Sequence, residues 1–371
     1  MIRVDSLNMT YGAGKNLHHA VRDVSFEVER GLFYTLLGPS GCGKTTTLRC
    51  IAGLERPDSG LIRIGDETVF SSFDGSWVPS ARRHIGMVFQ SYAIWPHYDV
   101  FENVAFPLRR IRPRISQADI AARVLRSLEL VQLGSLERRP ATDLSGGQQQ
   151  RLALARALVF EPRVLLLDEP LSNLDAKLRE EMRSELKHLT KRLGITTVFV
   201  THEQVEALTM SDRIAVMNKG RIVQEGTAAE IYKAPADAFV ADFIGKTNLI
   251  EGRVRETRRS GERFQSRVDS PIGDLLCWSR SNVAADEKVL VSVRPENIFM
   301  AADGTSSDHN LFSGRFSESV FIGNAMECTV QVGGQAIKVQ IHPGQAREPN
   351  DQVTFQISID DCQMLAGGSA A

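Results

Sequence analysis

Eight residues, Gly38-Pro39-Ser40-Gly41-Cys42-Gly43-Lys44-Thr45, constrain this chain more than any others. Two glycines flank four residues, and Lys and Thr follow, which is the P-loop pattern. The stretch comes after a compact apolar run, Phe33 to Leu37, and before a helical pattern expected over Thr45 to Leu54. In that context the glycines let backbone N–H groups turn inward around phosphate oxygens. The helix N-terminus adds partial positive charge. Lys44 is expected to reach the β- and γ-phosphates of a nucleotide, and Thr45 to offer its hydroxyl to Mg²⁺. The expected nucleotide-contacting set is Gly38, Ser40, Gly41, Cys42, Gly43, Lys44, Thr45 and Thr46. A glycine-rich turn without a ligand is the alternative, and the strand–loop–helix context argues against it.

A second apolar run, Val164 to Leu167, ends in Asp168-Glu169. An acid at the C-terminal end of a buried strand points into the crevice where α/β sheets bind ligands. Asp168 is the candidate to hold Mg²⁺, and Glu169 to position or deprotonate the attacking water. A third run, Ile195 to Thr201, is rich in β-branched residues and stops at His202. Such runs suit strands buried on both faces of a parallel sheet. Between the last two, Leu178, Met182, Leu186, Leu189 and Leu193 recur at helical spacing, and Gly194 stands where a helix-ending glycine belongs. Strand, helix, strand indicates an α/β domain.

Leu144-Ser145-Gly146-Gly147-Gln148 narrows the class. Ser-Gly-Gly at a helix N-terminus is a second anion-binding arrangement in one chain. A head-to-tail dimer uses both, with one copy's P-loop facing the other copy's Ser-Gly-Gly. At this point the chain resembles the nucleotide-binding subunits of ABC transporters over about residues 1–240, and Leu144 to Gln148 reads as that family's signature motif. The resemblance implies further roles. Gln90 takes the Q-loop position, contacting Mg²⁺ and the γ-phosphate. Ser172-Asn173-Leu174-Asp175 resembles the D-loop, with Asp175 at the dimer contact. His202 matches the switch histidine, and Tyr11 stands where the family stacks an aromatic on adenine. Ser145, Gly147 and Gln148 would contact the partner's nucleotide. The fold implied is a P-loop NTPase with a helical subdomain, and the reaction is ATP hydrolysis with Mg²⁺ as cofactor.

After Gln90 comes Ser91-Tyr92-Ala93-Ile94-Trp95-Pro96-His97. In this family the region contacts a coupling helix of the membrane subunit. Trp95 is expected as an exposed aromatic on a binding surface, with packing inside as the alternative. Asp99 departs from the commoner small hydroxyl residue before Val100, which could tune that contact. Arg109, Arg110, Arg112 and Arg114 form a basic cluster, read as a solvated face. No aromatic interleaving or recognisable module supports nucleic-acid binding.

The chain has 371 residues, so two domains or a little more are expected at about 150 residues each. From about Asn248 the character changes. Lys288–Val293, Glu327–Val332 and Ala336–Ile341 are short, β-rich and separated by turn signals, which points to a small β-barrel or sandwich. Ser292-Val293-Arg294-Pro295-Glu296 resembles a motif in the OB-like, TOBE-type β-domain appended to importers of the maltose, polyamine and ferric-iron type. The expected division is 1–240 and 241–366, with a linker around Pro235 to Asn248. Asp360 and Asp361 could pair at a metal, although solvated surface is the favoured reading. The stretch from Gly367 to Ala371 reads as a frayed end.

Net charge is −1, and the five cysteines are scattered and odd in number. That argues for reduced thiols rather than a disulfide framework or zinc site. The N-terminus has no apolar signal core, and no stretch approaches the roughly 18 apolar residues of a membrane span. A membrane role would therefore run through partners: a second copy, two integral permease subunits and, indirectly, a substrate-binding protein. The expected place is the cytoplasmic face of the inner membrane, peripherally bound. The stretch Phe89 to His97, with Phe101 to Phe106 after it, looks closer to ferric-iron and polyamine relatives than to sugar ones, and a sugar or phosphonate importer ATPase is the alternative. A soluble ABC ATPase of translation or DNA repair is the rival. The single nucleotide-binding domain, the lack of a heptad insertion and the β-rich C-terminal part all argue against it.

Overall fold

The computed structural model describes all residues except 13, 111–112, 262, 280, 302–308, 346 and 366–371. The expectations for Arg112 and for Gly367 to Ala371 lie outside the described residues. Contacts divide the chain into two units, Met1–Ala228 and Ala229–Ala371.

The first unit holds two sheets. Strands β1 (Ile2–Tyr11), β2 (His18–Val28), β4 (Ser59–Ile64) and β5 (Glu67–Ser71) form an antiparallel sheet in the order β2-β1-β4-β5. Strands β3 (Phe33–Leu37), β6 (Ile85–Val88), β7 (Val164–Asp168), β8 (Thr196–Thr201), β9 (Arg213–Asn218) and β10 (Arg221–Gly226) form the second, in the order β10-β9-β3-β8-β7-β6. It is parallel from β9 through β6, and only β10 runs against its neighbour. Every residue of β3, β7 and β8 is buried. This is why the three runs read as continuous apolar stretches rather than alternations.

Helix α1 (Lys44–Ala52) packs into one core with both sheets, where Leu48 and Ile51 join Val4, Ile62, Leu36 and Val198. The other face of the parallel sheet is covered by α2 (Val100–Leu108), α3 (Gln117–Leu130), α4 (Gly146–Leu158) and α5 (Ala176–Leu193). Val104, Val124, Leu154 and Leu186 meet Leu165 and Phe199 there. Helix α1 is shorter than expected, because Gly53 takes a left-handed conformation and caps it before Leu54. Gly194 ends α5 in the same way, with φ 60.

The second unit opens with α7 (Ala228–Lys233, apart from its first residue) and α8 (Ala238–Phe243), so the stretch expected as a linker carries a helix of its own. Asp237 starts α8 by accepting from Val240 N. Five strands, β11 (Asn248–Ser260), β12 (Arg263–Ser270), β13 (Gly273–Ser279), β14 (Lys288–Val293) and β20 (Cys362–Leu365), close into a barrel. A separate five-stranded sheet, in the order β15-β19-β16-β17-β18, is built from β15 (Ile298–Met300), β16 (His309–Phe321), β17 (Met326–Val332), β18 (Gln335–Ile341) and β19 (Gln352–Ser358). One β body was expected and two are present, sharing a single core that runs from Val254 and Val291 to Val330 and Phe355. Asn248 ties them together, donating to Lys338 O and accepting from Lys338 N.

Arg294, within the Ser292–Glu296 motif, is buried. It donates to Ala241 O and Lys246 O and stacks on Tyr232 with its guanidinium 4.4 Å from the ring centre. That motif's visible work is to hold α8 and the chain after it. Asp360 accepts from Trp278 Nε1 and Asp361 from Asn297 Nδ2. The two acids are engaged separately, and burial pushes the Asp361 carboxyl up.

Candidate functional site

Four adjacent strands, β3, β8, β7 and β6, deliver the motif residues at their C-terminal ends. This is where open α/β sheets bind ligands. β3 runs into the P-loop. Gly43, with φ 101, turns the chain into α1 at a point where a Cβ would lie 2.2 Å from Ala20 O, so only glycine fits. Lys44 is 4% exposed, and its Nζ donates to the carbonyls of Gly38 and Pro39 at 2.7 and 2.9 Å. The ammonium is thereby held inside the loop. Cys42 lines the same turn, and burial pushes its thiol up.

β7 ends in Asp168, 5% exposed, which accepts from Thr45 Oγ1 at 2.8 Å. Burial raises the Asp168 carboxyl above the ordinary range, and the Thr45 hydrogen bond opposes that shift. Glu169 follows in a left-handed conformation, φ 45, with its N–H donating to Val200 O and its carbonyl accepting from Ser172 Oγ. A residue with a Cβ adopts this backbone at a cost of about 1–2 kcal/mol. The turn carries the Glu169 carboxylate toward His202, beyond β8, and Gln90, beyond β6. Both reach the same oxygen: His202 Nδ1 lies 3.1 Å and Gln90 Nε2 3.4 Å from Oε2. Asn173 Nδ2 donates to Gln90 O at 2.8 Å and fixes the loop's backbone.

Tyr11, at the end of β1, is 38% exposed. Its hydroxyl is bonded to Glu55 and to Thr46 of α1. Burial first, and then Glu55, pushes the phenol up to about 12.

Ser145 is the N-cap of α4. It accepts from Gln148 N while Gln148 Oε1 accepts from Ser145 N, a full capping box. Asp175 caps α5 by accepting from Leu178 N at 3.0 Å. Within this chain both are helix caps. Gly147 lies against Leu178, where a Cβ would come within 3.0 Å. Among the described residues, no hydrogen bond joins Leu144–Gln148 to the P-loop or to Asp168 and Glu169.

The family profile for "ABC transporter" matches residues 21–172, and that for "TOBE domain" matches residues 291–365. The spermidine/putrescine import ATP-binding protein PotA of Thermobifida fusca is 46% identical over 368 residues, 98% of this chain and 88% of that protein. The protein of the same name from Haemophilus influenzae is 43% identical over 341 residues, 92% of this chain and 88% of its own length. The chain belongs to the importer-type ATP-binding subunits of ABC transporters. A dimeric bacterial ABC transporter cassette superposes on this ABC subunit with a TM-score of 0.54 and 32% identity, covering 62% of this chain and 99% of that one. The same cassette has been solved as a dimer with ADP and phosphate. As a member of this family the ABC subunit binds ATP and is an ATPase.

The loop after Gln90 is built differently from the expectation for Trp95. That ring is half-buried, 4.5 Å from Phe106 and under the guanidinium of Arg156. Trp95, Phe89, Pro107, Arg156 and Phe160 line a groove of about 290 Å³. Asp99 serves as the N-cap of α2, accepting from Glu102 N at 2.7 Å. A small hydroxyl residue would do the same work, so its departure from the common pattern has a local structural role. In the basic cluster, Arg109 pairs with Glu102 and Arg110 stacks on Phe106. A larger cavity, about 720 Å³, opens at the opposite ends of β7 and β8, between Arg30, Arg163 and Leu193. It contains none of the motif residues. No helix among the described residues is long and apolar enough to cross a membrane.

Sequence reading missed Asn173 and Ser172 as individual supports, and it missed Arg156 altogether. A signal for Arg156 was present: it is the one charge in the run Leu152-Ala153-Leu154-Ala155-Arg156-Ala157-Leu158. A charge inside an apolar helical run implies a specific partner.

Proposed function

We propose that this chain energises the import of a polyamine by ATP-driven closure of a head-to-tail homodimer. The observation that carries the ATPase half is the convergence of His202 and Gln90 on one oxygen of Glu169, beside the Thr45–Asp168 pair. ATP is the substrate. Its phosphates lie in the loop from Gly38 to Thr46, with Lys44 turning from the loop carbonyls to the β- and γ-oxygens. Glu169 orients the attacking water and accepts its proton. His202 and Gln90 hold Glu169 and report on the γ-phosphate. Adenine stacks on Tyr11.

The Thr45 hydroxyl, the Asp168 carboxylate and the Gln90 amide oxygen are hard oxygen donors, the set that suits Mg²⁺. Bound there, Mg²⁺ would neutralise charge developing on the β- and γ-oxygens. In the partner copy, Ser145, Gly147 and Gln148 complete the site from the N-terminus of α4, and Asp175 lies at the contact. The dimeric form of the similar cassette supports this arrangement.

Closure is passed to two membrane permease subunits through the groove beside Trp95, at the cytoplasmic face of the membrane. A substrate-binding protein delivers the cargo. The polyamine assignment is supported by the names of the relatives, spermidine/putrescine import proteins at 43–46% identity over most of the chain. The test is uptake in the native host after Lys44→Ala, with putrescine, spermidine, ferric iron, maltose-type sugars and phosphonates supplied in turn. Selective loss of putrescine and spermidine uptake is expected. Loss of another cargo alone would reassign the substrate, and loss of none would contradict the importer role.

A further inference from the structure

The groove beside Trp95 is held by an arginine that belongs to none of the motifs. Arg156 lies in the last turn of α4. Its two terminal nitrogens donate to the carbonyls of Ala93 and Tyr92. Its guanidinium carbon sits 4.8 Å from the centre of the Trp95 ring. One planar fork thus grips two successive carbonyls and a ring, a geometry that lysine cannot reproduce. Burial lowers its pKa to about 10, which leaves it charged at neutral pH.

The two carbonyls belong to residues in an unfavourable backbone. Tyr92 has φ 59 and Ala93 φ 47, left-handed conformations that residues with a Cβ avoid. The fork stabilises the one turn that presents both carbonyls to it.

The same helix end is also seated on the strand that leads to Gln90. Gly86 of β6 lies so close to α4 that a Cβ there would be 2.5 Å from Ala157 O. β6 ends at Val88, two residues before Gln90. At the far end of α4 is Ser145, roughly 16 Å away at 1.5 Å per residue. The helix is therefore a rigid link between the signature motif and the loop at 91–97.

We propose that Arg156 is a positioning residue that transmits movement of α4 to the loop at 91–97, so that engagement of the signature motif reshapes the groove where a membrane subunit docks. This rests on the reading of that groove as the docking surface. A residue serving packing alone would be apolar, as Ala153, Ala155 and Ala157 on the same helix are. The partners of Arg156 are directional acceptors on the loop itself.

The experiment uses the complete importer in vesicles, with the isolated chain in parallel. Arg156→Lys is expected to hydrolyse ATP in isolation within about twofold of the parent, while uptake per ATP in the complex falls about tenfold or more, the scale of one lost charged hydrogen bond. Adding Ala93→Gly should restore most of the coupling, because glycine adopts the left-handed turn without the fork. With Trp95 as the only tryptophan (Trp77→Phe and Trp278→Phe), ATP should shift its emission in the parent and not in Arg156→Lys. Unchanged uptake per ATP in Arg156→Lys would overturn the proposal. So would a parallel fall in melting temperature, isolated hydrolysis and uptake that Ala93→Gly leaves uncorrected, since that marks a packing residue. His97→Cys cross-linking to a membrane subunit tests the docking reading separately, and its failure in the parent would remove that reading together with this proposal.

Discussion

His202 places Nδ1 3.1 Å from Oε2 of Glu169, the oxygen that also faces Gln90 Nε2. The contact spans two strands: Glu169 leaves β7 through a left-handed turn, and His202 follows β8 directly. On the proposed function, a histidine in this place orients the carboxylate rather than holding the nucleotide's base or sugar. His202→Ala should therefore lower kcat about 10²–10³-fold, the usual effect of losing one preorganised group. ATP affinity should stay within a few-fold. Steady-state phosphate release combined with equilibrium binding of ATP separates the two quantities.

Tyr11 offers a half-exposed ring face beside α1. Base–aromatic stacking is worth about 1–3 kcal/mol. Tyr11→Ala should raise the Kd for ATP by roughly 5- to 100-fold, and Tyr11→Trp should not. The hydroxyl bond to Glu55 is lost in both variants, so the pair isolates the ring's contribution.

Arg83 should matter for stability. It is fully buried, donates to the carbonyls of Cys50 and Ile51 at 2.8 Å each and to Val78 O, and lies over Trp77. It thereby caps the C-terminus of α1, the helix whose N-terminus carries the P-loop. Arg83→Met leaves Ile51 O without its donor and Cys50 O with only the Gly53 N–H, at a cost of about 3 kcal/mol. At roughly 2–4 °C per kcal/mol for a unit of this size, Tm should fall by roughly 6–12 °C. Thermal unfolding with and without ATP checks this.

Glu206 supplies a pH signature. It is buried and accepts from Thr201 Oγ1 at 2.6 Å. Burial raises its carboxyl above the ordinary range. The folded state then binds the proton more tightly than the unfolded chain, so stability falls as pH rises from the unfolded value through the folded one. Above that window the cost is fully present. Glu206→Gln removes it, and the Tm advantage of the variant over the parent should be greater at pH 8 than at pH 5. An advantage that stays constant with pH would contradict the assignment of the cost to this carboxyl.

Much of the candidate site was legible because the residues proposed for its chemistry are contiguous in the sequence. Gly38 to Thr45, Asp168-Glu169 and Leu144 to Gln148 each sit at a strand end or helix start that the surrounding apolar pattern announces. The supports were not legible, for a physical reason. Arg83 follows Arg82 and reads as one of two surface charges, and only the fold brings the carbonyls of Cys50 and Ile51 to it. Tyr92 and Ala93 give no local sign of their left-handed backbone, since neither is glycine and the partner that stabilises them is about 60 residues away in sequence. The second β body of the C-terminal unit was hidden likewise. Its strands alternate as the barrel's do, and only the pairing of β16 with β19 and β17 separates the two.

The measurement that tests the central claim most directly is made on Glu169→Gln with ATP and Mg²⁺. Solution mass and phosphate release are recorded on the same sample. The expected result is a species of twice the 41.0 kDa chain mass, with turnover about 10²–10³-fold below the parent. A variant that stays monomeric while saturated with ATP, or that turns over at the parental rate, would contradict it.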